Sequence, residues 1–108
     1  MGWTLAEAVE LARNVEAIAS RFGAHVALTG GCLYKDGERK DVDLLFYRHS
    51  GSQAIQLEPM LSALESEAGI FACQNRMRIV KASKDGRTID LFLPEELLGD
   101  YSAQRQAE

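Results

Sequence analysis

The sequence predicts an α+β domain in which helices pack on one face of a mixed β-sheet. Two segments repeat apolar residues at helical spacing, four shorter segments are rich in β-formers, and an Asp-Gly pair joins the last two strands. The chain has 108 residues, of which 46% are hydrophobic and 26% charged, which suits one hydrophobic core. We therefore expect residues 1–108 to form a single domain with a polar tail from about residue 100.

The first predicted helix covers residues 4–22. Thr4 and Glu7 have the spacing of a capping box, in which each side chain accepts a hydrogen bond from the other residue's backbone N–H. Gly23 is suited to cap the other end, because glycine adopts the left-handed conformation at low cost. Apolar residues recur at helical spacing and are expected to face the core: Leu5, Ala8, Val9, Ala12, Val15, Ile18, Ala19 and Phe22.

A second helix is predicted over about 53–68, ended by Gly69. Its regular part is expected to start near Glu58, because Pro59 fits a first turn, where its missing N–H costs nothing. Strands are predicted over 25–29, 41–47, 76–83 and 87–93, and a short helix over 95–98. The last two strands are separated by Lys84-Asp85-Gly86, a strong hairpin signal.

Charge and composition narrow the function classes. The formal net charge of −4 argues against a protein that coats nucleic acid through bulk electrostatics, although it leaves room for a local basic groove. No apolar run approaches the roughly 20 residues of a membrane span, and the N-terminus lacks the basic and apolar parts of a signal peptide. We therefore expect a cytoplasmic protein without membrane contact, in which Cys32 and Cys73 are reduced.

Two aspartates interrupt the strand predicted at 41–47. Because strand side chains alternate between the two faces, Asp41 and Asp43 share one face. Such like charges are readily tolerated only at a wet strand end or around a bound cation. Asp90 interrupts the last strand and would complete a three-carboxylate cluster if the two strands were neighbours. A cluster of this kind can hold two Mg²⁺ ions about 3.5–4 Å apart.

The pair Gly30-Gly31 follows the first predicted strand. A turn without Cβ atoms lets the backbone approach a phosphate and point amide groups at it. Taken alone, such a pair is usually a simple turn, and an Asp-x-Asp sequence is usually a solvated strand face. Their occurrence in this order, with Asp90 further along, is stronger evidence for a site that binds phosphate and metal.

These motifs, Leu28-Thr29-Gly30-Gly31, Asp41-Val42-Asp43-Leu44 and Ile89-Asp90-Leu91, resemble the signature of the nucleotidyltransferase-fold superfamily, which is related to the palm of DNA polymerase β. The resemblance covers most of residues 5–93. It implies a nucleotidyltransferase-like mixed sheet with helices on one face. It also implies an enzyme that transfers a nucleoside monophosphate from an NTP to an acceptor hydroxyl by a two-metal mechanism. The implied cofactor is Mg²⁺, as two ions, with Mn²⁺ able to replace it.

The resemblance also implies roles for individual residues. Asp41 and Asp43 would hold both metals, and Asp90 would bind the catalytic metal and help to activate the acceptor. Gly30 and Gly31 would contact the triphosphate.

Three further residues near these motifs belong to the predicted phosphate site. Cys32 stands where many small members have serine, closer to the Gly-Gly-Cys of tRNA nucleotidyltransferases. Arg39 and Lys40 would neutralise phosphate charge, or equally well belong to a solvated loop paired with neighbouring acids.

The predicted hairpin is locally basic despite the negative total charge. If Arg76 and Arg78 shared a strand face, they could follow a nucleic-acid backbone. Such charges more often protect an exposed sheet edge, and that is our expectation here. The basic residues concerned are Arg76, Arg78, Lys81, Lys84 and Arg87.

The resemblance leaves the acceptor and the partners open. Larger members carry a helical domain after the palm that holds base and acceptor, whereas this sequence ends soon after the third motif. The first hypothesis is a small active enzyme with an NTP as substrate. The second is a catalytically inactive protein of this fold that acts as a nucleotide-binding or regulatory module. The third is an enzyme completed by a helical partner protein or by self-association.

Overall fold

The computed structural model of the protein describes residues 2–29, 40–51 and 53–96. In this part of the chain, helices α1 (Leu5–Ala19) and α2 (Leu57–Ala68) pack on one face of a five-stranded sheet. The strands are β1 (Ala24–Thr29), β2 (Asp41–Arg48), β3 (Phe71–Arg76), β4 (Ile79–Lys84) and β5 (Arg87–Phe92). The predicted α+β class, with helices on one face, is confirmed.

The sheet is mixed, as the sequence predicted. Its strand order is β1-β2-β5-β4-β3, in which β2 and β5 are parallel and the other neighbouring pairs are antiparallel. After β2 the chain crosses through α2 to the far edge, and the β3–β4–β5 meander then returns towards the centre. As a result, the last strand of the meander lies beside the strand that carries the aspartate doublet.

The helices cover the face of the sheet that holds the apolar half of each central strand. Val42, Leu44 and Phe46 of β2 are fully buried, as the alternation predicted. In β5 the corresponding residues Ile89 and Leu91 are also 0% exposed. Since successive side chains point to opposite faces, the residues between them face away from the helices.

Helix α1 begins as predicted and ends earlier. Its capping box is present, with the Glu7 N–H donating to Thr4 Oγ1 at 3.2 Å and the Thr4 N–H donating to Glu7 Oε1 at 3.0 Å. After Ala19 the chain forms one 3₁₀ turn, Ser20–Phe22, and Gly23 then adopts a left-handed φ of 86°. The expectation that Leu5 faces the core was wrong: it is 48% exposed, and the buried residues of α1 start at Ala8.

Helix α2 begins at Leu57, which is within one residue of the regular start predicted near Glu58 and later than the outer bound near residue 53. Pro59 lies in the first turn, and Gly69 caps the other end with a φ of 68°. The chain from 94 to 96 forms a turn, and the second half of the short helix predicted over 95–98 lies outside the described residues. Glu96 is buried against Arg48, whose Nε lies 2.7 Å from Glu96 Oε2. The polar tail from about residue 100 lies outside the described residues.

The strand predicted over 76–83 was wrong at its start. Arg76 ends β3, and Met77 and Arg78 form a turn in which Met77 has a φ of 57°. Arg76 and Arg78 therefore do not share a strand face. The predicted hairpin is present, with left-handed φ values of 53° at Asp85 and 76° at Gly86. Because β4 lies between β5 and β3, its lysines do not protect a sheet edge.

None of the described helices is long and apolar enough to cross a membrane.

The burial of β2 leads to a stability prediction. We expect Leu44→Ala to lower the free energy of unfolding by about 2–5 kcal/mol, because it leaves a cavity where the side chain is 0% exposed. The matched control is Leu5→Ala at a position that is 48% exposed, where the expected change is within about 0.5 kcal/mol. Chemical denaturation measures both, and equal losses would contradict the assigned faces.

Candidate active site

The parallel pairing of β2 with β5 brings the three predicted carboxylates to one region. In its register Asp43 is opposite Asp90, and Asp41 is opposite Thr88. Neighbouring strands lie about 4.8 Å apart, so the side chains of Asp43 and Asp90 start from adjacent positions on the face away from the helices. The neighbouring-strand condition for a three-carboxylate cluster is therefore met.

The carboxylates differ in their environment. Asp90 is only 8% exposed, whereas Asp41 and Asp43 are partly buried. Burial raises the pKa of Asp43 above its usual 3.8, and the negative charges of Asp90 and Asp41, together with a hydrogen bond to Asp90, raise it further. The positive charge of Lys81 acts in the opposite direction. These surroundings make the charged form of Asp43 costly, and a bound cation would reduce that cost.

Lys81 is part of this cluster. It is paired with Asp90 across the β4–β5 ladder, and its Nζ lies 3.0 Å from Asp90 Oδ1. The contact lacks hydrogen-bond geometry, so Oδ1 is a buried oxygen without a hydrogen-bond partner. The ammonium therefore offsets the charge of Asp90 without satisfying that oxygen.

The donor set fits a hard divalent cation. Carboxylate oxygens are the ligands that Mg²⁺ prefers, and a buried oxygen without a donor is available at Asp90. Among the described residues, no three His, Cys, Asp or Glu side chains are already gathered tightly enough to hold a metal ion. Lys81 is the cation shown in contact with Asp90 in the described part of the chain, and the predicted metal roles of Asp41, Asp43 and Asp90 stay a prediction.

A cleft of about 510 Å³ opens beside Asp43 on the same face of the sheet. Its lining is mainly apolar, with Leu45, Ile79 and Phe92 among the contributors. Arg78 also lines it, and its Nη1 donates to the carbonyls of Pro94 at 2.5 Å and Glu96 at 3.4 Å. The lining of the cleft thus combines apolar side chains with one carboxylate and one guanidinium.

The remaining predicted residues belong to the phosphate site. Lys40 is exposed and immediately precedes β2. Gly30, Gly31, Cys32 and Arg39 lie outside the described residues, so their predicted phosphate contacts stay a prediction.

The sequence reasoning assigned Lys81 to edge protection and missed its contact with Asp90. A signal was present, because a two-residue turn at Asp85-Gly86 pairs Lys84 with Arg87. Counting back three residues on one strand and forward three on the other brings Lys81 opposite Asp90.

Comparisons with known proteins support the fold. No protein-family model matches the sequence, and no curated protein matches it. Among solved structures 51 chains match. One of them, described as a cytoplasmic RNA terminal U-transferase, superposes with a TM-score of 0.65 at 19% identity. The match covers 83% of this chain but only 28% of that one, so the matched part spans less than a third of that chain's length. This likeness shows that the chain shares the fold of the matched part of that transferase.

The raised pKa of Asp43 predicts that replacing this residue with a neutral one stabilises the protein by an amount that depends on pH. Since the folded protein holds a proton on Asp43 at higher pH than the unfolded chain does, wild-type stability falls as the pH rises from 3.8 through the raised pKa. We expect Asp43→Asn to remove this loss. At neutral pH solvent screening limits the gain to about 1 kcal/mol, a rise of roughly 4 °C in the melting temperature.

The control for this prediction is Asp85→Asn, which changes an exposed carboxyl in the β4–β5 turn. Thermal unfolding of wild type and both variants between about pH 4 and neutral pH measures the effect. The rise in melting temperature caused by Asp43→Asn should become smaller as the pH falls towards 4. The effect of Asp85→Asn on the melting temperature should not follow this trend. A gain that grew towards the acid end would contradict the assigned pKa shift.

Proposed function

We propose that this protein is a small Mg²⁺-dependent nucleotidyltransferase that transfers a nucleoside monophosphate from an NTP to an acceptor hydroxyl. The observation that carries the proposal is the register of β2 against β5, which sets Asp43 beside Asp90. Asp41 lies two residues from Asp43 on the same strand face. The fold likeness to a terminal U-transferase and the predicted Gly30-Gly31 phosphate turn support the same reaction.

In the proposed reaction, the acceptor oxygen bonds to the α-phosphorus as the bond from that phosphorus to the bridging oxygen breaks, and pyrophosphate leaves. The proposed ligands of both metals are Asp41 and Asp43, with Asp90 as a ligand on the acceptor side. Two Mg²⁺ ions held there would neutralise charge on the triphosphate and leaving group and would lower the pKa of the acceptor hydroxyl. The Asp90 carboxylate would also be suited to accept the proton that leaves the acceptor hydroxyl.

The cleft beside Asp43 supports a substrate with a flat, apolar part. Phe92 and Leu45 offer a surface on which a nucleobase can pack, and such stacking contributes about 1–3 kcal/mol per base. Arg78 adds a positive charge to the lining, with which a phosphate of the same substrate can pair. We assign this cleft to a nucleoside, either that of the NTP or that of a nucleic-acid acceptor.

A second candidate function is favoured by one observation. The Lys81 ammonium already lies 3.0 Å from Asp90, where a catalytic metal would be needed. A protein in which this contact persists would bind an NTP without transferring it and would act as a nucleotide-binding or regulatory module. Calorimetric titration with a Mg²⁺–NTP mixture distinguishes the two, because binding without turnover on any acceptor would favour the module.

The central prediction concerns the carboxylates. We expect Asp41→Asn, Asp43→Asn and Asp90→Asn each to reduce transfer of label from α-labelled NTPs by at least about 100-fold, because each removes a charged metal ligand. The four NTPs are tested separately, with a single-stranded RNA oligomer as acceptor and with the protein alone to detect self-modification. Omission of Mg²⁺ should abolish the signal, and Mn²⁺ should restore it.

Asp85→Asn serves again as the matched control, since it removes an exposed carboxyl from the far turn of the β4–β5 hairpin. It should retain wild-type transfer. Equal signal in wild type and in all three site variants would refute the catalytic assignment. Wild-type silence with every acceptor, together with metal-dependent NTP binding, would leave the binding module as the function.

A further inference from the structure

We infer that Lys81 is an exchangeable counter-cation of the carboxylate cluster, which a divalent metal ion displaces when the site is loaded. In the metal-free state its ammonium takes the cation's place beside Asp90, and metal binding releases it towards solvent. This inference rests on the proposed function, because it concerns how the same three carboxylates are regulated.

The first step of the argument is position. Lys81 lies on β4 between Val80 and Ala82, which are both buried on the helix-covered face. Alternation therefore turns Lys81 to the open face, and the β4–β5 register sets it opposite Asp90. Its place in the cluster is determined by the fold and does not depend on a mobile loop.

The second step is charge. Asp41, Asp43 and Asp90 lie near one another in this region. The charges of Asp41 and Asp90 raise the pKa of Asp43, whereas the positive charge of Lys81 lowers it. Two other cations of the hairpin are engaged elsewhere: Lys84 Nζ donates to the Ala68 carbonyl at 2.5 Å, and Arg87 pairs with Glu7 at 3.2 Å. Lys81 is thus the cation of β4 and β5 whose contact is with the cluster.

The third step is release. The Lys81 side chain is 48% exposed, so its ammonium can return to water with little rearrangement of the fold. Its contact with Asp90 Oδ1 is an ion pair without a hydrogen bond, and that oxygen retains an unfilled acceptor. A lysine is a point charge on a flexible stem, which suits a contact that forms and breaks. The geometry therefore favours exchange over a permanent bridge.

The consequence is competition. A divalent ion that binds Asp90 must displace the ammonium, so the cluster binds the metal more weakly than its three carboxylates alone would. The occupancy of the site then depends on the concentration of free divalent ion, and the metal-free protein avoids unbalanced repulsion among its carboxylates.

Titration with Mn²⁺ alone, without nucleotide, tests this competition. We expect Lys81→Met to bind Mn²⁺ more tightly than wild type by roughly 5- to 150-fold, the usual range of coupling between two binding events. Lys81→Arg keeps a positive charge beside Asp90 and should show none of this gain in Mn²⁺ affinity, since a guanidinium holds a carboxylate at least as firmly as an ammonium does. Lys84→Met makes the same change in net charge away from the cluster and should leave the Mn²⁺ affinity unchanged. Calorimetry measures all four proteins.

Wild-type protein with ¹³C-labelled lysine provides a second test that needs no variant to fold. Saturating Mg²⁺ should shift the Cε signal of Lys81 and leave that of Lys84 in place as an internal reference. An unmoved Lys81 signal, equal or weaker Mn²⁺ binding by Lys81→Met, or no metal binding by any of the proteins would overturn the inference.

The two proposals can fail separately. Transfer activity with an unmoved Lys81 signal would keep the enzyme and exclude the exchange. A shifted Lys81 signal without transfer on any acceptor would support the exchange and remove the catalytic function.

Discussion

The parallel ladder between β2 and β5 is the interaction on which the candidate site depends. It is a non-local contact, because α2, β3 and β4 lie between its two strands along the chain. On one side of this ladder the buried pair Leu44 and Leu91 packs beneath the helices. On the other side the same register aligns Asp43 with Asp90. The core contacts thus position the carboxylates, since the two faces share one backbone.

In the same two strands, apolar packing on one face stabilises the pairing and repulsion among carboxylates on the other face destabilises it. Each fully buried aliphatic side chain contributes about 1.5–3 kcal/mol, so the apolar face of the ladder stabilises the pairing by several kcal/mol. The opposite face loses part of that gain, because burial and like charge raise the pKa of Asp43. Lys81 reduces the repulsion, although Asp90 Oδ1 keeps an unsatisfied acceptor. Functional positions typically contribute unfavourably to folding stability, and the packing around them offsets this contribution.

Much of this could be predicted from the sequence, and the failures have identifiable causes. The alternation in 41–47, the capping box of α1 and the Asp85-Gly86 turn were each visible in a few neighbouring residues, and the structure has all three. The edge strand β3 was missed because most of its residues are exposed and show no alternation. Its turn, Met77-Arg78, contains neither glycine nor proline, so nothing separated β3 from β4. Without β3, β4 resembled an edge strand, and Lys81 was assigned the protective role that edge lysines have.

The other half of the predicted site follows from the antiparallel ladder between β1 and β2. Thr29, the last residue of β1, is paired with Asp43, so the residue that immediately precedes Gly30 is in register with the carboxylate whose pKa is raised. The order Thr29, Asp43, Asp90 and Lys81 therefore runs straight across four adjacent strands. A strand order that separated β5 from β2 would leave Asp90 far from Asp43 while preserving every motif in the sequence. The chemistry attributed to the motifs thus requires that β5 be the neighbour of β2, which comes from the crossover and not from any local pattern.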